Sequence, residues 1–236
     1  MDGTMNFTDP VERPKSLTDL AVDRIRNAIV TGPLQFGEAL SESALAGMLG
    51  MSKTPVREAL LRLKLEGLVV IHPQRGTFVF QLDEAEVAHI CQFRSMIECE
   101  ALADAMKNRH AALVAALDAR LDDMAAAFKR ADHMAFPRLD TEFHDTLVAH
   151  CENTFLKAAF HRVAAQITAL RYRLPVENDQ VTHCQDNHLV VVEAIRNLDT
   201  RRAQAILRGH IQSTRDAYLL ASRGQVTPRS TVAEAG

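Results

Sequence analysis

The sequence predicts a mainly α protein in two parts: a short unit of three helices and a β-hairpin, then an antiparallel all-α helical bundle. Seven of the ten glycines fall at or before Gly76, and residues 77–208 contain none. That same stretch has only two prolines, Pro137 and Pro175. Glycine and proline punctuate turns and end helices, so a long run nearly free of both favours long helices with few joints. Apolar residues make up 47% and charged residues 24% of the 236, an ordinary balance for a globular protein.

Several classes drop out at once. No apolar stretch reaches the roughly 18 residues of a membrane-spanning helix, so no membrane partner is expected. The opening MDGTMNFTDPVERPKS lacks the apolar core of a signal peptide. Cys91, Cys99, Cys151 and Cys184 form no CxxC pair and read as buried thiols in a reducing cytoplasm. Net charge is -3, so any nucleic-acid binding must come from a local patch.

Residues 1–16, with Pro10, Pro14 and scattered charges, read as a disordered arm. A helix begins at Ser16 or Leu17, since Leu17, Ala21, Ile25 and Ile29 recur on one face. Thr31-Gly32-Pro33 stops it. Ser41 suits an N-cap for a short helix over Glu42–Leu49, ended by Gly50. Beyond the turn Gly50-Met51-Ser52-Lys53, Pro55 lies near the first helical position of another helix, which ends at Gly67. Val56, Leu60 and Leu63 form its buried side. Leu68–Ile71 and Thr77–Phe80 then suit two strands around the turn His72-Pro73-Gln74-Arg75-Gly76.

Helices in this order followed by a hairpin make a winged helix-turn-helix over residues 17–80. Residues 51–80 carry five Lys/Arg (53, 57, 62, 64, 75) against two Glu (58, 66). A solvated cationic face is the plain explanation of such a charge. In a helix-turn-helix, however, the start of the second helix enters the major groove, which places Lys53, Thr54 and Arg57 at the bases. Arg75, with Gly76 at the hairpin tip, is placed to reach a phosphate or the minor groove. The segments Leu40-Ser-Glu-Ser-Ala-Leu-Ala, Ser52-Lys-Thr-Pro-Val-Arg-Glu-Ala-Leu, Glu66-Gly-Leu and Arg75-Gly-Thr-Phe-Val resemble the DNA-binding domain of the GntR family of bacterial transcription regulators. That family usually has arginine where Ser43 stands and often where Lys53 stands. The resemblance thus implies one missing DNA contact and a point charge in place of a bidentate donor.

From Asp83 the pattern is helical to about residue 221, with helices near 84–108, 110–130, 134–151, 153–173, 180–197 and 200–221, and a polar, mobile tail over 222–236. Nine of the ten histidines lie here. Most sit near helix ends or in mixed surroundings. Three head or follow apolar stripes: His144 before Leu147, Val148 and Cys151; His188 before Val191, Val192 and Ile195; His210 after Ala203, Ile206 and Leu207. Asp140 stands one turn before His144 on the same face, while Glu142 points away. A lone histidine on such a stripe is more often a satisfied core residue. Three of them with an aspartate suit a divalent metal ion, zinc first and Mn²⁺, Ni²⁺ or Fe²⁺ as alternatives. Spacing alone leaves both readings open.

Asp140-Thr-Glu-Phe-His144, Cys151-Glu-Asn153, His188 with Glu193-Ala-Ile195, and His210 resemble the FCD effector domain of the FadR-type branch of the same family. The resemblance implies that Asp140, His144, His188 and His210 ligate a metal; Asn187 departs from the glutamate often found before the third ligand. It also favours Arg94, set among Ile90, Phe93, Ile97 and Ala101, as an effector-binding clamp for a carboxylate. An i, i+4 pair with Glu98 is the alternative. Arg171 and Arg173 are weaker candidates for the clamp role and read first as surface residues near a helix end, and Gly209 reads as a site of close helix approach. The expected function is a metal-dependent, organic-acid-responsive repressor acting as a homodimer on palindromic double-stranded DNA. The competing readings are a metalloenzyme using the site of three histidines and one aspartate, and a DNA-binding scaffold with a structural metal.

Overall fold

The computed structural model describes residues 14–130, 132–173 and 178–223. The predicted arm is covered only from Pro14 and the predicted tail only to Arg223; their remainders lie outside the described residues. Helix α1 (Leu17–Thr31) starts with a capping box, in which the Ser16 side chain accepts from the Asp19 amide and the Asp19 carboxylate accepts from the Ser16 amide. It ends at Gly32 in left-handed geometry (φ 114°). Helix α2 (Glu42–Leu49) is capped by Ser41 and closed by Gly50, and α3 (Lys53–Leu65) follows after three residues. Ala21, Ile25 and Ile29 of α1 pack on Val56, Leu60 and Leu63 of α3 in one core.

Three strands, not two, cover this unit. Between α1 and α2 the pair β1 (Ala39–Leu40) joins β3 (Gly76–Val79), which in turn pairs with β2 (Val69–His72), all antiparallel in the order β1-β3-β2. A two-residue strand is too short to show alternation, which is why the sequence predicts only the hairpin. In that hairpin His72 pairs with Gly76 across Pro73-Gln74-Arg75, with Gln74 left-handed (φ 63°).

The remaining helices form the bundle. Helix α4 (Glu84–Lys129) leaves helical geometry at one residue, Arg109 (φ −139°, ψ 30°), where the sequence predicts a break. A short 3₁₀ turn leads to α5 (Phe136–Ala149), then α6 (Thr154–Arg173), α7 (Asn178–Arg196) and α8 (Thr200–Arg223). Leu102, Leu113 and Leu117 of α4 share one core with Phe143, Leu147, Val191, Ile195 and Leu207. Gly209 is a correction: a Cβ there would meet nothing within 4 Å, so among the described residues no other helix approaches it closely.

Helix α6 also belongs to the winged unit. Its Ala169 is fully buried in the core formed by α1 and α3. Gln166 Nε2 donates to the Gly67 carbonyl at 3.0 Å. Gly67 is left-handed (φ 74°), which selects glycine, and a Cβ there would stand 2.9 Å from the Gln166 side chain and push its amide aside. Arg173, expected at the surface, instead reaches across: Nη1 donates to the carbonyls of Ile29 (3.2 Å) and Leu34 (2.7 Å), and the guanidinium lies 4.2 Å from the Phe36 ring centroid.

Candidate functional site

Asp140 and His144 stand one turn apart on α5, His188 on α7 and His210 on α8. All four are buried, and each offers a ligand atom within 4.8 Å of the others. His144 Nε2 lies 3.2 Å from His210 Nε2 and 3.7 Å from Asp140 Oδ1, while His188 Nε2 lies 3.4 Å from the same carboxylate oxygen. Ligand bonds of about 2.1 Å at tetrahedral or octahedral angles separate neighbouring donors by about 3.0–3.4 Å, so this spacing fits one ion. Both ring nitrogens of His188 and Nδ1 of His210 are buried without a hydrogen-bond partner. Buried polar atoms seldom stay unpaired in a protein built without a ligand there.

Electrostatics favour the same use. Burial pushes His188 down to about 4, and burial also pushes His144 and His210 below the ordinary histidine range. That keeps the imidazoles neutral, the form that binds metal. Burial alone would raise the Asp140 carboxyl, but the adjacent Arg171 and the surrounding imidazoles hold it well below the usual carboxylate range.

Glu98 of α4 is the part of the site that sequence spacing does not identify. One of its oxygens accepts from Arg94 Nε at 2.5 Å and the other from His144 Nδ1 at 2.6 Å. The second bond puts the proton on Nδ1 and turns the Nε2 lone pair toward Asp140 and His210, as a carboxylate behind a metal-binding histidine does. The available signal is the i, i+4 spacing to Arg94, which names only half of its role.

Arg94 takes up the i, i+4 pair with Glu98. It pairs with Glu98 through Nε, yet Nη1 and Nη2 are buried without partners. Burial would lower its pKa, but Glu98 and Asp140 hold it above the ordinary arginine value. Arg171 is a correction. It is buried on α6, its Nε contacts Asp140, its Nη1 donates to Thr141 at 3.2 Å, and Nη2 is unpartnered. Phe160, Ile167 and Arg171 are all buried at i, i+7 and i+11, so the position continues the inward stripe. A cleft of about 370 Å³ reaches this centre, lined by Asp140, Arg171, Cys184, Thr214 and Tyr218 among others. Cys184 is half-buried, unlike the other three cysteines and unlike the expectation of four buried thiols, and burial pushes its thiol up to about 12.

On the other unit, Lys53, Thr54, Arg57, Arg75 and Gly76 are all exposed, the first three at the start of α3 and the last two at the hairpin. Helix α2 brings Glu42 against Arg57. Its carboxylate accepts from Arg57 Nη2 at 2.8 Å and from Nε at 3.0 Å. Arg62 is likewise tied to Asp19 of α1 at 2.7 Å. The five cations of the patch therefore do not present five free charges.

Comparisons with known proteins agree with this division. Residues 17–79 match the family described as "Bacterial regulatory proteins, gntR family", and residues 89–213 match the FCD domain. The chain is 27% identical over 180 residues to the gluconate operon transcriptional repressor of Bacillus subtilis, covering 74% of each chain. It is 30% identical over 192 residues to the Nta operon transcriptional regulator of Aminobacter aminovorans, covering 81% of this chain and 89% of that one. Its fold resembles E. coli McbR/YncC with a TM-score of 0.74 at 21% identity, over 90% of this chain and all of the other. Among the described residues no helix is long and apolar enough to cross a membrane. An exposed cationic recognition helix, a helical FCD unit and these relatives together make the chain a member of the GntR family of transcription regulators, in its FCD-containing, FadR-type branch, and a DNA-binding regulator, not an enzyme.

Proposed function

We propose that this regulator is a metal-dependent repressor that binds palindromic double-stranded DNA as a homodimer and answers to a small organic acid. The observation that carries the reading is the convergence of Asp140, His144, His188 and His210 beside a cleft, with unpaired guanidinium nitrogens of Arg94 and Arg171 in the same cluster. Asp140, His144, His188 and His210 would hold a divalent ion, zinc being the leading choice for three imidazoles and one carboxylate. When bound, that ion supplies a positive charge and a position for a ligand oxygen. Glu98 orients His144, Arg171 orients Asp140, and Arg94 offers its free nitrogens to a carboxylate.

On the DNA side, Arg57 faces a base edge with Lys53 and Thr54 beside it, and Arg75 and Gly76 meet the backbone or minor groove. An acid changes operator affinity only if it favours one placement of the paired winged units over another. The test measures metal content and operator binding with and without candidate acids. His188→Ala should lose the metal and the acid response while keeping basal DNA binding. Unchanged metal stoichiometry in that variant refutes the site. A homodimer should appear on gel filtration, and a strict monomer that binds a palindrome tightly refutes that part. No acid altering either operator affinity or thermal stability would favour the scaffold reading.

A further inference from the structure

Among the described residues every buried Lys, Arg, Asp or Glu side chain belongs to one cluster: Arg94, Glu98, Asp140 and Arg171. Two positive and two negative charges sum to zero. The imidazoles ligate as neutral groups, so a divalent ion raises the buried total to +2. A buried charge excess is strongly unfavourable unless an opposite charge offsets it. The chain itself has no buried carboxylate left to do so among the described residues.

The donors point the same way. Glu98 occupies only Nε of Arg94, and its two terminal nitrogens are buried and unpartnered. A planar pair of guanidinium N–H groups matches one carboxylate bidentately. Arg171, one of the residues lining the cleft, has its Nε against Asp140 and its Nη1 on Thr141, which leaves Nη2 buried and unpaired. One fork and one separate donor make two anion-binding positions, one on α4 and one on α6.

From this we infer that the effector is a dianion, a dicarboxylic acid with both groups ionised, and that monoanions of equal size are discriminated against. The inference rests on the acid-sensing reading above and narrows it. One carboxylate meets Arg94, and the second anionic group meets Arg171 Nη2. The two negative charges cancel the +2 of the metal-loaded cluster. Arg171 is thereby the specificity-determining residue, because only the second charge needs it.

The experiment uses the zinc-loaded full chain and titration calorimetry, with malonate, succinate, glutarate and adipate each compared with its own half-amide. Each pair keeps the shape and removes one charge. The best-fitting dianion should bind roughly 10- to 100-fold tighter than its half-amide, the effect of leaving a buried charged donor without its partner. Arg171→Gln lowers the cluster to +1 and should shrink that ratio to about threefold or less, measured on the fraction that circular dichroism shows folded and zinc analysis shows loaded, since losing the partner of Asp140 also weakens zinc binding. Half-amides binding as well as the diacids would overturn the dianion rule and leave acid sensing standing. Binding by no acid at all to the zinc-loaded chain would overturn both. The wild-type comparison decides the matter even if the variant fails to fold.

Discussion

Two arginine–glutamate pairs in this chain use the same chemistry for opposite ends. Arg57 and Glu42 meet on the surface of the winged unit, with 65% and 31% of their side chains exposed. Arg94 and Glu98 meet inside the helical unit at 1% and 0%. Water and salt screen the first pair, so Arg57 can exchange Glu42 for a phosphate or base at small net change. Nothing screens the second. Its partners are fixed by the core, and Nη1 and Nη2 of Arg94 stay buried without any. Burial, not residue type, thus separates a contact made to be traded from one made to be kept.

The sharpest way to break the comparison is Glu98→Ala. It strands the Arg94 guanidinium and the His144 Nδ1–H in the interior, and denaturant unfolding should show a loss of about 3–5 kcal/mol. A loss under about 1 kcal/mol would mean that water reaches the pair. Glu98→Gln keeps an acceptor for His144 but not the charge. Zinc affinity should then fall roughly 10- to 100-fold by competition with a chelating dye.

The metal-free chain should also weaken in acid. The buried histidines have folded pKa values below the ordinary one, about 4 for His188, so between about 6.5 and 4 the unfolded chain binds more protons than the folded chain. Stability therefore falls as pH falls through that window, and thermal melts in chelator from neutral pH down to about 4 should trace it. Zinc should protect the chain through the upper part of the window by competing with those protons.

At the exposed pair the expectations invert. Arg57→Ala should leave the melting temperature unchanged within error, yet reduce discrimination between operator and unrelated DNA by roughly 5- to 150-fold, read by fluorescence anisotropy. Glu42→Gln is the gentlest change. It frees Arg57 without removing it, and should mainly steepen the salt dependence of DNA binding by adding one more available cation. A large stability loss from either would erase the distinction between the two regions.

The sequence shows periodicity far better than partnership. Ser16, Ser41, Gly32 and Gly50 mark helix ends because capping is local chemistry. The break at Arg109 and the inward stripes of His144, His188 and His210 are legible for the same reason. Asp140 joins them because one helical turn fixes its face. Glu98 escapes notice as the orienting group, since its partner lies 46 residues away on another helix. Arg171 looks like a terminal surface residue until α6 is seen to continue its stripe beneath Asp140. Arg173 looks the same and bridges to carbonyls 139 and 144 residues earlier. Charged residues default to the surface in a one-dimensional reading, and only a partner from a distant element reverses that.

Arg171 and Arg173 are two positions apart, so their side chains leave α6 about 200° from one another. One grips Asp140 in the buried charge cluster, and the other holds the end of α1 and the Phe36 ring. A single turn of helix is thus pinned on both sides, so a rotation or slide of α6 that kept the Asp140 contact would strain the contacts to the DNA-binding unit.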